Sequence, residues 1–131
     1  MKKAKYIMKN SLVKTLLVTL SLGFLTSCSS DSGFKTIDSK EAYRMIQEED
    51  VVILDVRTPE EYAEGHIENS INIPLDEIET RFEELNKEDT ILVYCRSGNR
   101  SKSASNLLVK QGFTHIFDFG GLNTWKYGIV K

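Results

Sequence analysis

The sequence has only two cysteines, Cys28 and Cys95. That is too few for a small fold held by disulfides. No Cys-x-x-Cys pair is present, which excludes a thioredoxin-type dithiol. The two histidines, His66 and His115, are scattered, and with one cysteine they do not make a zinc ligand set. No apolar run reaches the roughly 20 residues of a membrane-spanning helix. Internal repeats are missing, and so is low-complexity sequence beyond a short serine-rich stretch. Basic excess is also lacking: 17 Lys+Arg stand against 19 Asp+Glu. The first 27 residues hold five of the lysines and no acid, so residues 28–131 carry 12 basic against 19 acidic groups, a net of −7. Such a domain has no overall footprint for nucleic acid. What is present, 40% hydrophobic and 27% charged residues, fits a globular chain. The 104 residues after position 27 suit one small domain.

The N-terminus is organised as an address. A basic stretch from Met1 to Lys14 precedes an apolar run of 11 residues, Thr15 to Leu25. A basic start and a short apolar segment form a secretory signal. The following Leu25-Thr26-Ser27-Cys28 resembles the lipobox of bacterial lipoproteins. That resemblance implies removal of residues 1–27 and lipidation of Cys28, with the domain held at a membrane of the bacterial cell envelope, outside the cytoplasm. Several acyl chains anchor stably where one would be marginal. Residues 28–34 then form a short tether, reaching about 20 Å at most.

Residues 35–131 alternate strand and helix patterns. Lys35-Thr36-Ile37 reads as a short strand, and Asp38-Ser39-Lys40-Glu41 as the capped start of a helix to about Gln47. Val51 to Leu54 is a continuous apolar run, as in a strand buried on both faces. Thr58-Pro59-Glu60-Glu61 opens a second helix with Thr as N-cap, Pro at N1 and Glu at N3, and Gly65 keeps it short. Ile71-Asn72-Ile73 is a strand stopped by Pro74. Leu75, Ile78, Phe82 and Leu85 predict one helix face, with acids on the other. Thr90 to Tyr94 is a buried strand, followed by a helix carrying Ala104, Leu107 and Leu108 and capped by Gly112. Ile116 to Phe119 is the last strand, and Gly120-Gly121 leads to a short terminal helix with Trp125. This alternation predicts an α/β domain with a mainly parallel sheet and helices on both faces.

Ligands of such sheets bind at the carboxyl ends of strands. Cys95 sits at such an end and opens Cys95-Arg96-Ser97-Gly98-Asn99-Arg100-Ser101, which runs into a helix. Backbone N–H groups and the helix dipole there favour an anion. Gly98 and Asn99 tolerate the left-handed backbone of a tight loop. A thiol near cations and a helix N-terminus titrates below its ordinary value, so Cys95 is expected as a thiolate. From Cys95 to Phe117 there are four basic residues and no acid, a positive mouth on a negative body. The loop contains no histidine, so activation is electrostatic rather than through a Cys–His pair. The competing reading is a buried structural thiol. The strand end, the glycine turn and the two arginines favour chemistry.

Three segments together resemble the rhodanese (sulfurtransferase) homology domain over about residues 35–131. They are Leu54-Asp55-Val56-Arg57-Thr58-Pro59-Glu60-Glu61-Tyr62 with Gly65-His66-Ile67 and Ser70 to Pro74; the loop Tyr94 to Ser101; and Gly120-Gly121-Leu122 with Trp125. The chain departs from the family pattern at Ser70, often Ala, and at Ile129-Val130, where a proline is common. The resemblance implies a catalytic Cys95 that takes sulfur from a small anionic donor such as thiosulfate, holds it as a persulfide, and passes it to a thiol or cyanide. A protein acceptor is the further possibility. Backbone N–H groups of residues 96–101, namely Arg96, Ser97, Gly98, Asn99, Arg100 and Ser101, would cradle the sulfur. Arg96 and Arg100 would bind the donor's anionic end. Asp55 and Arg57 are read as bracing the fold around the loop, and His66, Tyr94 and Trp125 as packing residues. The chemistry calls for no metal and no cofactor. Two alternatives remain: a persulfide carrier serving a partner protein, and a phosphatase or arsenate reductase of the related dual-specificity type. The latter use a Cys-x5-Arg loop of seven residues, whereas Cys95 to Arg100 spans six.

Overall fold

The computed structural model describes residues 32–131. The leader, the lipobox-like segment and Cys28 lie outside the described residues. Five strands form one parallel sheet: β1 (Lys35–Thr36), β2 (Val52–Asp55), β3 (Ile71–Asn72), β4 (Ile91–Cys95) and β5 (Ile116–Gly121), in the order β1-β5-β4-β2-β3. The helices are α1 (Ser39–Glu48), α2 (Pro59–Glu64), α3 (Ile78–Arg81) and α4 (Asn99–Lys110).

Alternate side chains of the central strands enter two separate cores, as the two-residue period of a strand requires. Ile53 of β2 and Leu92 and Tyr94 of β4 pack with Ala42 and Met45 of α1 and with Phe119. Leu54, Ile91, Val93 and Cys95 face the other way, against Ile78 of α3 and Ala104 and Leu108 of α4. All five residues of β4 are buried, which is why its sequence is an unbroken apolar run.

The local signals set the element starts. The Asp38 carboxylate accepts from the Glu41 N–H at 2.8 Å and caps α1. Thr58 and Glu61 close a reciprocal capping box on α2, with Pro59 at its first position. Two expectations need correction. The segment from Leu75 is not one helix: a 3-10 turn (Leu75–Glu77), the single α-turn α3 and a second 3-10 turn (Phe82–Glu84) follow one another. The apolar spacing explains this. Leu75 to Ile78 and Phe82 to Leu85 are three apart and match three residues per turn, while Ile78 to Phe82 are four apart and match the α-turn. The terminal helix is likewise a single 3-10 turn, Leu122–Thr124, ending before Trp125.

Candidate active site

β2 and β4 are neighbours, but their onward connections diverge. β2 leads through α2 to β3 on one side, and β4 leads through α4 to β5 on the other. The crevice between such strands, at their carboxyl ends, is where open α/β sheets take ligands. Cys95 ends β4 at this point, and Asp55 ends β2 beside it, with Asp55 paired in register to Tyr94.

Cys95 is 1% exposed. Its Sγ accepts the Gly98 N–H at 3.0 Å. Gly98 has φ 106° and turns the chain so that α4 starts at the next residue. A side chain there would be strained. Asn99 does not share the left-handed backbone expected of it; it is already the first residue of α4. Burial pushes the thiol up, and this is the largest single influence. Hydrogen bonding by the N–H groups of Ser101, Gly98 and Ser97 opposes it and brings Cys95 below its ordinary value. A ring of backbone donors, more than nearby cations, thus favours the thiolate.

The far wall of the loop explains the second of the paired glycines, Gly121. A Cβ on Gly121 would overlap the Arg96 carbonyl and the Ser97 nitrogen. The Arg96 carbonyl also accepts from the Asn123 N–H at 3.2 Å. Ser101 is fully buried, and its hydroxyl donates to the Asp118 carboxylate at 2.7 Å; the same oxygen accepts the Gly120 N–H at 3.0 Å. Asp118 was not singled out in the sequence, though an acid inside the apolar run Ile116 to Phe119 is the signal that marks it.

The two arginines are not equivalent. Arg96 is exposed and has no ion-pair partner among the described residues. Arg100 donates Nη1 to Glu61 Oε2 at 2.7 Å and Nη2 to Glu61 Oε1 at 2.9 Å, a bidentate bar across the crevice from α4 to α2. Chiefly through this bond, Glu61 is held at about 2. The bond also raises Arg100, and the nearby Cys95 adds to that. Glu61 therefore has a site role that its local sequence, a helix start, does not display. The mouth is less positive than the run from Cys95 to Phe117 suggests, because α2 supplies Glu61 and Glu64.

Asp55 and Arg57 form a buried pair. Arg57 Nη2 meets Asp55 Oδ2 at 2.6 Å and donates to the Gly65 carbonyl at 2.8 Å. Asp55 Oδ1 accepts both Arg57 N–H at 2.9 Å and Nε at 3.0 Å. Asn72 ties the two carbonyls of Asp55 and Arg57 together. The Arg57 guanidinium lies 5.7 Å from the Tyr94 ring centroid. The Tyr94 hydroxyl accepts the Ile67 N–H at 3.1 Å and lies 3.3 Å from Ser70 Oγ. Ser70 thus offers the Tyr94 hydroxyl a polar partner that alanine would not. His66 stacks on Tyr62 and its backbone bridges to Val130.

A cleft of about 410 Å³ opens beside Arg96, lined also by Arg57, Glu61, Glu64 and Asn123, with Leu122 and Ile129 as its apolar wall. No group of acids, histidines and cysteines among the described residues is arranged to hold a metal ion.

The chain is similar to known proteins. Residues 38–127 match the model of the rhodanese-like domain. The thiosulfate sulfurtransferase GlpE of Coxiella burnetii is 37% identical over 94 residues, covering 71% of this chain and 88% of that protein. The putative sulfur carrier protein YrkF of Bacillus subtilis is 41% identical over 90 residues, 66% of this chain and 49% of that protein. The crystal structure of a rhodanese-like domain protein from Staphylococcus aureus superimposes with a TM-score of 0.68 at 33% identity, covering 73% of this chain and 96% of that one. The strand order, the cysteine loop on the β2/β4 crevice and these likenesses lead to one conclusion: the chain belongs to the rhodanese-like family of sulfurtransferase domains.

Proposed function

We propose that the chain transfers a sulfane sulfur from thiosulfate or a similar anionic donor to a thiophilic acceptor through a persulfide on Cys95. The observation that carries this reading is the ring of N–H donors around a buried sulfur whose pKa is lowered. The Cys95 thiolate attacks the outer sulfur of thiosulfate; the S–S bond of the donor breaks, and sulfite leaves with the electron pair. Cys95 then bears a persulfide whose outer sulfur is negative. The donors of Ser97, Gly98 and Ser101 stabilise that charge as an oxyanion hole does. The exposed Arg96 fork takes the donor's oxygens, with Arg100 contributing from its anchored position. The acceptor attacks the outer sulfur and releases the Cys95 thiolate, closing a two-step cycle.

The six-residue loop spacing supports sulfur over a tetrahedral phosphate. A second reading, a sulfur carrier that loads and hands its sulfur to one partner protein, is favoured by the likeness to the putative sulfur carrier protein of B. subtilis. Sulfite release separates the two. A transferase releases many equivalents per protein when thiosulfate and cyanide are both supplied. A carrier whose persulfide is closed to cyanide stops at about one equivalent, and no sulfite at all contradicts both.

The location is proposed on the leader alone: cleavage before Cys28, lipidation of its sulfur, and a domain tethered close to a membrane on the far side from the cytoplasm. Expression of the full chain in a bacterium with and without Cys28→Ser tests this. The unsubstituted protein should sediment with membranes and the variant should not; equal fractionation contradicts the anchor.

A further inference from the structure

β5 carries one acid among apolar neighbours. Ile116 and Asp118 stand two residues apart and so point to the same side of the sheet, toward α4. Ile116 packs into the core with Ala104 and Leu108, whereas Asp118, 5% exposed, meets Ser101 in the first turn of α4. A buried carboxylate is costly unless donors hold it. Two do so here, both on Oδ1: the Ser101 hydroxyl at 2.7 Å and the Gly120 N–H at 3.0 Å. The hydroxyl has one proton and two further oxygens within reach, the carbonyls of Gly98 at 3.0 Å and Gly120 at 3.2 Å. The carboxylate is closer and charged, so it takes the proton. The two groups that Asp118 holds belong to different parts of the sulfur site. Ser101 closes the cysteine loop, and its own N–H is among those that hold Cys95 Sγ. Gly120 and Gly121 form the wall on which residues 96–98 rest. A Cβ on Gly98 would lie 3.5 Å from the Gly120 Cα, and one on Gly121 would overlap the Arg96 carbonyl.

We propose that Asp118 is a positioning residue of the sulfur site, its Oδ1 tying the end of the cysteine loop to the β5 wall so that the Ser97, Gly98 and Ser101 N–H groups stay directed at Cys95 Sγ. The chemistry served by that ring rests on the Cys95 persulfide reading. A carboxylate has no proton to offer the sulfur, so Asp118 acts through Ser101 and Gly120. Donors fixed in advance stabilise a charge without reorganising as it forms. The ring needs this twice in one cycle, for the thiolate of free Cys95 and for the outer sulfur of the persulfide. Without the Asp118 bonds, Ser101 can turn its hydroxyl to the Gly98 or Gly120 carbonyl, and the first turn of α4 loses its tie to β5. Arg100, whose charge also reaches Cys95, is held by Glu61 and is not tied to Asp118.

The test uses residues 29–131, which include the whole sheet and both cores and keep Cys95 as the one cysteine. Asp118→Ala removes the acceptor, and Asp118→Asn keeps an acceptor oxygen in the same place. The midpoint of Cys95 alkylation against pH is read by mass, and single-turnover sulfur uptake is read against thiosulfate concentration. Asp118→Ala should raise the midpoint by about one pH unit. It should slow uptake at saturating thiosulfate about tenfold, while the half-saturating concentration stays within about twofold. Asp118→Asn should restore both. Asp118→Ser, whose hydroxyl stands one bond short of the carboxylate oxygen, should behave as alanine does and replaces it if alanine does not fold. An unchanged midpoint beside a lowered Tm would overturn the proposal, leaving Asp118 a purely structural acid. A fall in the midpoint would overturn it as well, since Asp118 would then act as a like charge against the thiolate. No sulfur uptake by the unsubstituted chain would overturn the persulfide reading, and the alkylation midpoints would still decide for or against Asp118.

Discussion

Glu61 and Arg100, thirty-nine positions apart in sequence, meet through two hydrogen bonds of 2.7 and 2.9 Å that bridge α2 and α4 over the crevice beside Cys95. One carboxylate thereby does two jobs. It completes the α2 capping box with the Thr58 N–H and fixes the last arginine of the cysteine loop. Glutamine at this position keeps the cap and loses the charge.

Glu61→Gln is therefore expected to cost about 1 kcal/mol at neutral pH, discounted from the size of the pKa shift because the Arg100 side chain is 34% exposed. The pH dependence has a definite sign. The carboxylate is at about 2 in the folded chain and about 4.3 when unfolded. Its stabilisation is present above the unfolded value and is lost as pH falls from there toward the folded one. Urea unfolding of both forms at pH 7 and near pH 2 checks this. A stability difference that does not shrink on acidification contradicts the assignment.

The thiol of Cys95 should titrate below its ordinary value, because N–H donors hold the thiolate against the cost of burial. Alkylation rate against pH, followed by mass, gives the midpoint. Gly98→Ala places a side chain at φ 106°, costing about 1–2 kcal/mol, and disturbs the 3.0 Å N–H bond to Sγ. The midpoint of this variant should rise. An unchanged midpoint would remove Gly98 from the account.

The Asp55–Arg57 pair is buried and tied to the Gly65 carbonyl, and is expected to carry stability. Asp55→Ala leaves the Arg57 charge, 6% exposed in its side chain, without its partner. The expected loss is about 3–5 kcal/mol, read by urea or thermal unfolding. A loss below about 1 kcal/mol would show that water reaches Arg57 and compensates it.

Much of this was legible in the sequence where the cause is local. The Thr58-Pro59-Glu60-Glu61 start, the fully apolar β4 and the cysteine at its end followed by Gly98 all depend on neighbours within a few residues. The 3-10 turns flanking α3 were present in the three-residue spacings but were masked by a pattern that also fits one α-helix. The Arg100 partner was not legible, because a helix-start glutamate gives no sign of a contact so far along the chain. The Asp118–Ser101 bond arises from the pairing of β4 with β5, an order that local patterns do not encode. The close approach of Gly121 to the Arg96 backbone has the same origin.

Intact mass spectrometry after thiosulfate treatment tests the central claim most directly. Residues 29–131, freed of excess donor, should gain about 32 Da as one sulfur bound covalently to the nucleophile. Cyanide should remove that mass with release of thiocyanate, and Cys95→Ser should not gain it. A protein that stays at its original mass with thiosulfate, polysulfide and mercaptopyruvate alike, or a gain that persists in Cys95→Ser, would contradict the account.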